Sequence, residues 1–202
     1  MASSTDVDAL AGTRREVSAP DEATGEALTL RRRYAAHVSD VWDACTDPDR
    51  LACFFQRPEG DLRVGGRFAF PGSGHGEVLR CAPPWLLVVS WVYGEPGGER
   101  VELRLAPDED GGTLLELRHS APDGLLERVP DDPESGARGI GTEWELSLIA
   151  LAACLDGDAE ADSTGVTSVF ATAGLAGRVS RAWSATLAAA GVDATGADDA
   201  GR

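Results

Sequence analysis

Past Phe68 the hydrophobic period of this chain switches from two to about 3.6 residues, and that switch confines the fold to few architectures. Between Phe68 and His119 apolar and polar residues alternate. Val101, Leu103 and Leu105 interleave with Glu102 and Arg104, then Leu115, Leu117 and His119 with Glu116 and Arg118. Side chains on a strand point to opposite faces in turn, so the pattern describes an antiparallel sheet with one buried face. From Ile140 the period is helical, with Trp144, Leu148, Leu151 and Leu155 continuing a single stripe. One long amphipathic helix laid across a curved sheet covers the apolar face of that sheet.

The remaining elements fit around this pair. Residues 85–93 (WLLVVSWVY) are the most apolar run, with Trp85, Leu87, Val89, Trp91 and Tyr93 on one face. Phe68 and Phe70 share a face after Gly65-Gly66, and Gly72, Gly74 and Gly76 form a hairpin connection into a strand over 76–82. Leu28, Leu30, Arg32 and Tyr34 alternate with Thr29, Arg31 and Arg33, which predicts a first strand. Ser39 is placed to cap a short helix carrying Val41, Trp42 and Ala44. Asp47 before Pro48 is a stronger helix start, since proline in the first turn loses no hydrogen bond. That second helix turns Leu51, Phe54 and Phe55 inward and stops before Pro58.

Three zones result. Residues 1–26 have no periodicity and read as a disordered leader. Residues 27–156 hold the patterned domain. Residues 157–202 open as a linker (GDAEADSTG) and carry an amphipathic helix over about 173–190. In it Leu175, Val179, Trp183 and Leu187 recur every four residues, and Gly191 is placed to end it. Such a stripe needs cover, either from its own domain or from a second chain in a homodimer built around Trp183.

All 18 basic residues are arginine, against 34 acids, and a formal charge of −16 speaks against a nucleic-acid footprint. No apolar run reaches the roughly 18 residues of a membrane span. The first residues lack the apolar core of a signal peptide, so a cytoplasmic protein is expected. Cys45, Cys53, Cys81 and Cys154 are too scattered for a disulfide framework and are expected as buried, reduced thiols. Together with His37, His75 and His119 they show no metal-ligand spacing, and no cofactor motif is present.

In this order these residues resemble the helix-grip fold of the START and birch-pollen-allergen (SRPBCC) superfamily. More narrowly, the chain resembles homologues of the activator of heat-shock protein 90 ATPase. The resemblance is carried by VWDACTDPDRLACFF (41–55), GDLRVGGRFAF (60–70), GEVLRCAPPWLLVVSW (76–91), GGTLLELRHS (111–120) and GTEWELSLIALAACL (141–155), over about 130 residues. It implies an α+β fold in which a curved antiparallel sheet surrounds a long C-terminal helix, with two short helices after the first strand. Phe54 stands where the family usually has tryptophan, which alters the shape of a cavity and not the fold.

The resemblance further implies a cavity between sheet and helix for a hydrophobic small molecule. Carried onto this sequence, the short helices supply Trp42, Phe54 and Phe55 to its lining. The earlier strands supply Phe68, Phe70, Trp91 and Tyr93, and the later ones Leu103, Leu115 and His119. The long helix supplies Trp144, Leu148 and Leu151. Each stands on a face that the periodicity turns inward.

Groups able to do chemistry are few. The GSGHG stretch (72–76) lies between strands and lacks the lysine of a phosphate loop, and Ser73 is not in a nucleophile elbow. His119 and Tyr93 are the candidates for acid–base work. The expectation is a non-enzymatic protein that sequesters an aromatic or polyketide-like compound. A specific version is self-resistance to an enediyne-type antibiotic, with hydrogen abstraction at the Gly72–Gly76 rim. A polyketide cyclase or aromatase, and a co-chaperone-like interaction role, are the alternatives.

Overall fold

The computed structural model describes residues 12–18, 25–93, 98–129, 139–157 and 174–192. The strands are β1 (Thr13–Ser18), β2 (Glu26–Tyr34), β3 (Glu59–Gly60), β4 (Arg67–Ala69), β5 (His75–Ala82), β6 (Leu86–Trp91), β7 (Glu99–Pro107) and β8 (Thr113–Ala121). Between β2 and β3 lie α1 (Val38–Thr46) and α2 (Pro48–Leu51), and after β8 come a 3-10 turn (Leu126–Arg128), α3 (Ile140–Asp156) and α4 (Leu175–Ala189).

The strands form one sheet in the order β1-β2-β8-β7-β6-β5-β4-β3, each neighbouring pair antiparallel. Registers Leu30↔Leu117, Leu103↔Leu117 and Leu87↔Leu103 line up one apolar row across four strands. α3 lies over this face, and the Tyr34 hydroxyl donates to the Leu148 carbonyl at 2.9 Å to fix the helix at its middle. This is the α+β helix-grip arrangement, with its core between sheet and α3.

The two short helices start differently from one another. His37, not Ser39, caps α1: its Nδ1 accepts from the Ser39 N–H at 3.3 Å, because His37 is the last extended residue before the turn. Asp47 caps α2 as the sequence predicts, accepting from the N–H groups of Asp49 and Arg50, with Pro48 in the first turn.

Residues 13–18 correct the reading of residues 1–26 as a disordered leader, since they form β1 along the edge of β2. The inward side chains of that strand include Thr13 and Arg15, so no apolar alternation announces it. Both find buried partners: Arg32 Nη1 donates to Thr13 Oγ1 at 2.8 Å, and Arg15 Nε donates to Glu145 at 2.6 Å. Residues 1–11 and 19–24 of the leader, and 158–173 of the linker, lie outside the described residues.

The tail helix docks within its own chain. Leu175, Val179, Trp183 and Leu187 are buried on α3, so the face around Trp183 is not available to a homodimer. Gly141 makes the approach close, because a Cβ there would lie 2.8 Å from the Trp183 ring. At the other end Gly191, at φ +71°, donates to Ala188, and Val192 donates to Leu187. α4 and β1 cover a second face of α3, which is why Glu145, off the sequence stripe, is fully buried.

The thiols also differ from expectation. Cys53 and Cys154 form a disulfide, bridging α3 to the turn after α2, while Cys45 and Cys81 are free and Cys81 is exposed. Two cysteines 101 positions apart carry no spacing signal; packing alone brings them together. Among the described residues no helix is long and apolar enough to cross a membrane.

Candidate functional site

Between α3, the α1–α2 segment and the inner face of β4 to β8 lies a cavity of about 180 Å³. A cavity of about 150 Å³ lined by apolar side chains holds benzene, so this volume suits a compact ring system. Six aromatic side chains surround it: Phe54, Phe55, Phe68, Phe70, Trp91 and Trp144. Phe55 stacks on Trp144 at 5.6 Å and 18°, and Trp91 meets Trp144 edge-on at 5.2 Å. Phe70 packs against both Phe55 and Trp91. Offset and edge-on pairs of this kind are favourable beyond their buried area.

Polar groups in the wall are already engaged. Thr46 donates to the Trp42 carbonyl and Ser147 to the Glu143 carbonyl, both at 2.8 Å. Burial pushes the Cys45 thiol up to about 12, so it stays protonated and weakly nucleophilic. The wall therefore offers a ligand apolar surface and ring faces, with no carboxylate, imidazole or guanidinium among the described residues that line it.

Of the expected lining, Phe54, Phe55, Phe68, Phe70, Trp91, Leu103, Trp144 and Leu148 surround the cavity. Trp42, Leu115 and Leu151 are buried in the core away from it. Tyr93 stands beyond the end of β6 and is 59% exposed, which removes it as a wall residue and as a buried acid. Trp85, on the same sequence face, is likewise exposed, because β6 begins only at Leu86.

His119 is fully buried behind Trp144 and does not reach the cavity. Its Nδ1 accepts from Trp144 Nε1–H at 3.0 Å, which leaves the proton on Nε2 to donate to Glu99 at 2.8 Å. Arg128 in turn donates to the other Glu99 oxygen at 2.7 Å. Burial lowers the His119 pKa against the pull of Glu99. Burial opposes the Glu99 charge as well, but the hydrogen bonds from His119 and Arg128 prevail and lower its pKa. Both ring nitrogens are thus occupied, and His119 orients a cavity wall.

Several wall residues were not singled out from sequence. Leu87, Val89, Val101 and Leu117 stand on faces read as inward, and only their proximity to a void was unreadable. Cys81 is different. Strict alternation from Val78 would turn Arg80 inward, but a register shift between Val78 and Arg80 brings Cys81 opposite Leu87 on the inner face. Among the described residues no three His, Cys, Asp or Glu side chains converge as metal ligands.

A family model described as Activator of Hsp90 ATPase homolog 1-like protein matches residues 35–156, more than half of the chain, including α1, the cavity strands and α3. The chain belongs to this family. β1, β2 and α4 lie outside the matched residues. CalU16 from Micromonospora echinospora is similar well beyond that span. It is 36% identical over 87% of this chain and 98% of its own, with a TM-score of 0.64 for its crystal structure. Its solution structure gives 0.69 at 35% identity, over 88% and 96%.

Two more distant structures share the fold alone. The Aha1 dimer from Colwellia psychrerythraea is 18% identical over 65% of this chain and 97% of its own, with a TM-score of 0.53. DynU16, a protein in the dynemicin biosynthetic locus, is 23% identical over 67% of this chain and 49% of its own, also at 0.53. No curated protein matches the chain significantly.

Proposed function

We propose that this protein binds and sequesters a neutral, aromatic or polyketide-like small molecule in the helix–sheet cavity, without catalysing a reaction on it. The observation that carries this reading is the cavity, walled by six aromatic rings and lacking any charged contact group. A cyclase or aromatase would need a positioned acid or base. The two candidates for that role are a histidine with both nitrogens engaged and a tyrosine at the surface.

The test is a titration of the full chain with naphthalene, a polycyclic aromatic polyketide and a fatty acid, followed by tryptophan fluorescence. Saturable quenching by the aromatic compounds is expected, and its loss in Val89→Phe, which fills the cavity, with unchanged circular dichroism. No quenching by any aromatic compound would overturn the reading.

The narrower form of the proposal is self-resistance to an enediyne-type product. Its support is chemical. The Gly72–Gly76 turn borders the aromatic wall, with Gly74 packed against the Trp91 ring, and Gly72, with open space around it, presents an accessible α-hydrogen. Exposure to one equivalent of a thiol-activated enediyne is then expected to cleave the chain within residues 72–76, read by mass spectrometry. A chain left intact would contradict this form and leave the broader one standing.

A further inference from the structure

We propose that the Cys53–Cys154 disulfide is a thiol–disulfide exchange site, and that a dithiol reductant acting there opens the cavity to its ligand. The proposal rests on the cavity being a binding site and adds how entry is controlled. The two cysteines lie on opposite walls. Cys53 immediately precedes Phe54 and Phe55, both in the lining, and Leu51 just before it is in the lining as well. Cys154 lies near the end of α3, the helix that supplies Trp144, Ser147 and Leu148 to the other wall. The bridge therefore ties the α2 segment to α3, the two elements that supply these wall residues, from just outside the lining.

The α2 helix itself is held lightly. α2 is four residues long and none of them is buried. Its N-terminus is capped by Asp47, and the ion pair of Asp49 with Arg57 is at the exposed surface. Phe54 and Phe55 seat the segment on the sheet side, with Phe54 buried and Phe55 against Phe70 at 4.8 Å, so the bridge and the Phe55–Trp144 stack are what tie it to α3, and a ligand ring can replace the stack. Both bridged cysteines are only partly buried, so an incoming thiolate can reach a sulfur. Two free thiols also line the cavity: Cys45 on α1, which burial keeps protonated and so a poor competitor, and the exposed Cys81 on β5, on a different wall from the bridge.

The chemistry is ordinary exchange. A thiolate of the dithiol attacks one sulfur, the S–S bond breaks and a mixed disulfide forms. The second thiol of the reductant then closes its own disulfide and releases the other cysteine. Two electrons and two protons pass from the dithiol to the bridge, leaving Cys53–SH and Cys154–SH.

Stopped-flow binding of N-phenyl-1-naphthylamine, a neutral fluorescent probe, to the oxidised and the dithiothreitol-reduced full chain tests this. Alkylation in denaturant, which exposes Cys45, followed by mass spectrometry counts the thiols in each state. Two alkylated cysteines before reduction and four after are expected, with association about tenfold faster in the reduced chain and slowed again on reoxidation. Cys53→Ser with Cys154→Ser should bind at the fast rate and ignore the reductant. Equal rates in both redox states, or four alkylated cysteines before reduction, would overturn the proposal while leaving binding intact. Loss of near-UV circular dichroism on reduction would make the bridge a structural staple and overturn it too. If the probe binds neither state, the binding reading fails and this proposal with it.

Discussion

With Nδ1 accepting from Trp144 and Nε2 donating to Glu99, the His119 ring is a support for the cavity wall. Protonating it places two N–H donors against each other, which the buried site resists. Since its folded pKa is lowered, the unfolded chain takes up the proton first. Stability is expected to be flat above the ordinary histidine value near 6.5 and to fall as pH drops below it. Urea unfolding across pH 5 to 8 checks the slope, and His119→Gln, which can still accept from Trp144, should flatten it. Glu145 carries the opposite sign. Burial raises its pKa against Arg15, so its own titration favours the fold as pH falls. Truncating its partner is nonetheless damaging: Arg15→Ala leaves a buried carboxyl unpaired and is expected to cost about 3–5 kcal/mol in chemical denaturation. Sequence showed that His119 faces inward. It did not show what the residue does there, because Glu99 and Trp144 reach it from two other elements and Arg128 holds Glu99 from a third.

β1 and α4 bury the second face of α3. Trp183→Ala, at a fully buried position, is expected to cost about 3–5 kcal/mol, and Gly141→Ala should destabilise as well by pushing the Trp183 ring away. Thermal unfolding of both variants measures this, and near-wild-type stability would mean that α4 is not docked as described. The helix itself was readable, since its apolar residues recur every four positions and a glycine ends it. Where it docks was not, because a stripe records that it needs cover and not which surface supplies it. β1 was unreadable for a related reason: its inward residues include a threonine and an arginine whose partners are remote in sequence. The central strands read well because a one-sided sheet imprints its period directly. The β5 bulge, which turns Cys81 inward, leaves no such imprint.

At the scale of the whole molecule, sheet, α3 and the α1–α2 segment meet around a void, and the proposed binding role depends on that void admitting a ligand. Rings on inward faces are equally consistent with solid core, so periodicity could name the candidates but could not separate the eight that reach the cavity from Trp42, Leu115 and Leu151. Gly74 gives a way to alter the site from outside. A methyl there would sit 2.6 Å from the Trp91 ring and drive the indole toward the cavity, so Gly74→Ala is expected to weaken binding of naphthalene several-fold in the fluorescence titration. The most direct measurement uses the five tryptophan indole N–H signals in a ¹H–¹⁵N spectrum during titration with naphthalene. Signals of Trp91 and Trp144 are expected to move together and saturate, while those of Trp42, exposed Trp85 and Trp183 stay in place. Shifts confined to Trp85, or no shifts at all, would contradict a ligand in the helix–sheet cavity.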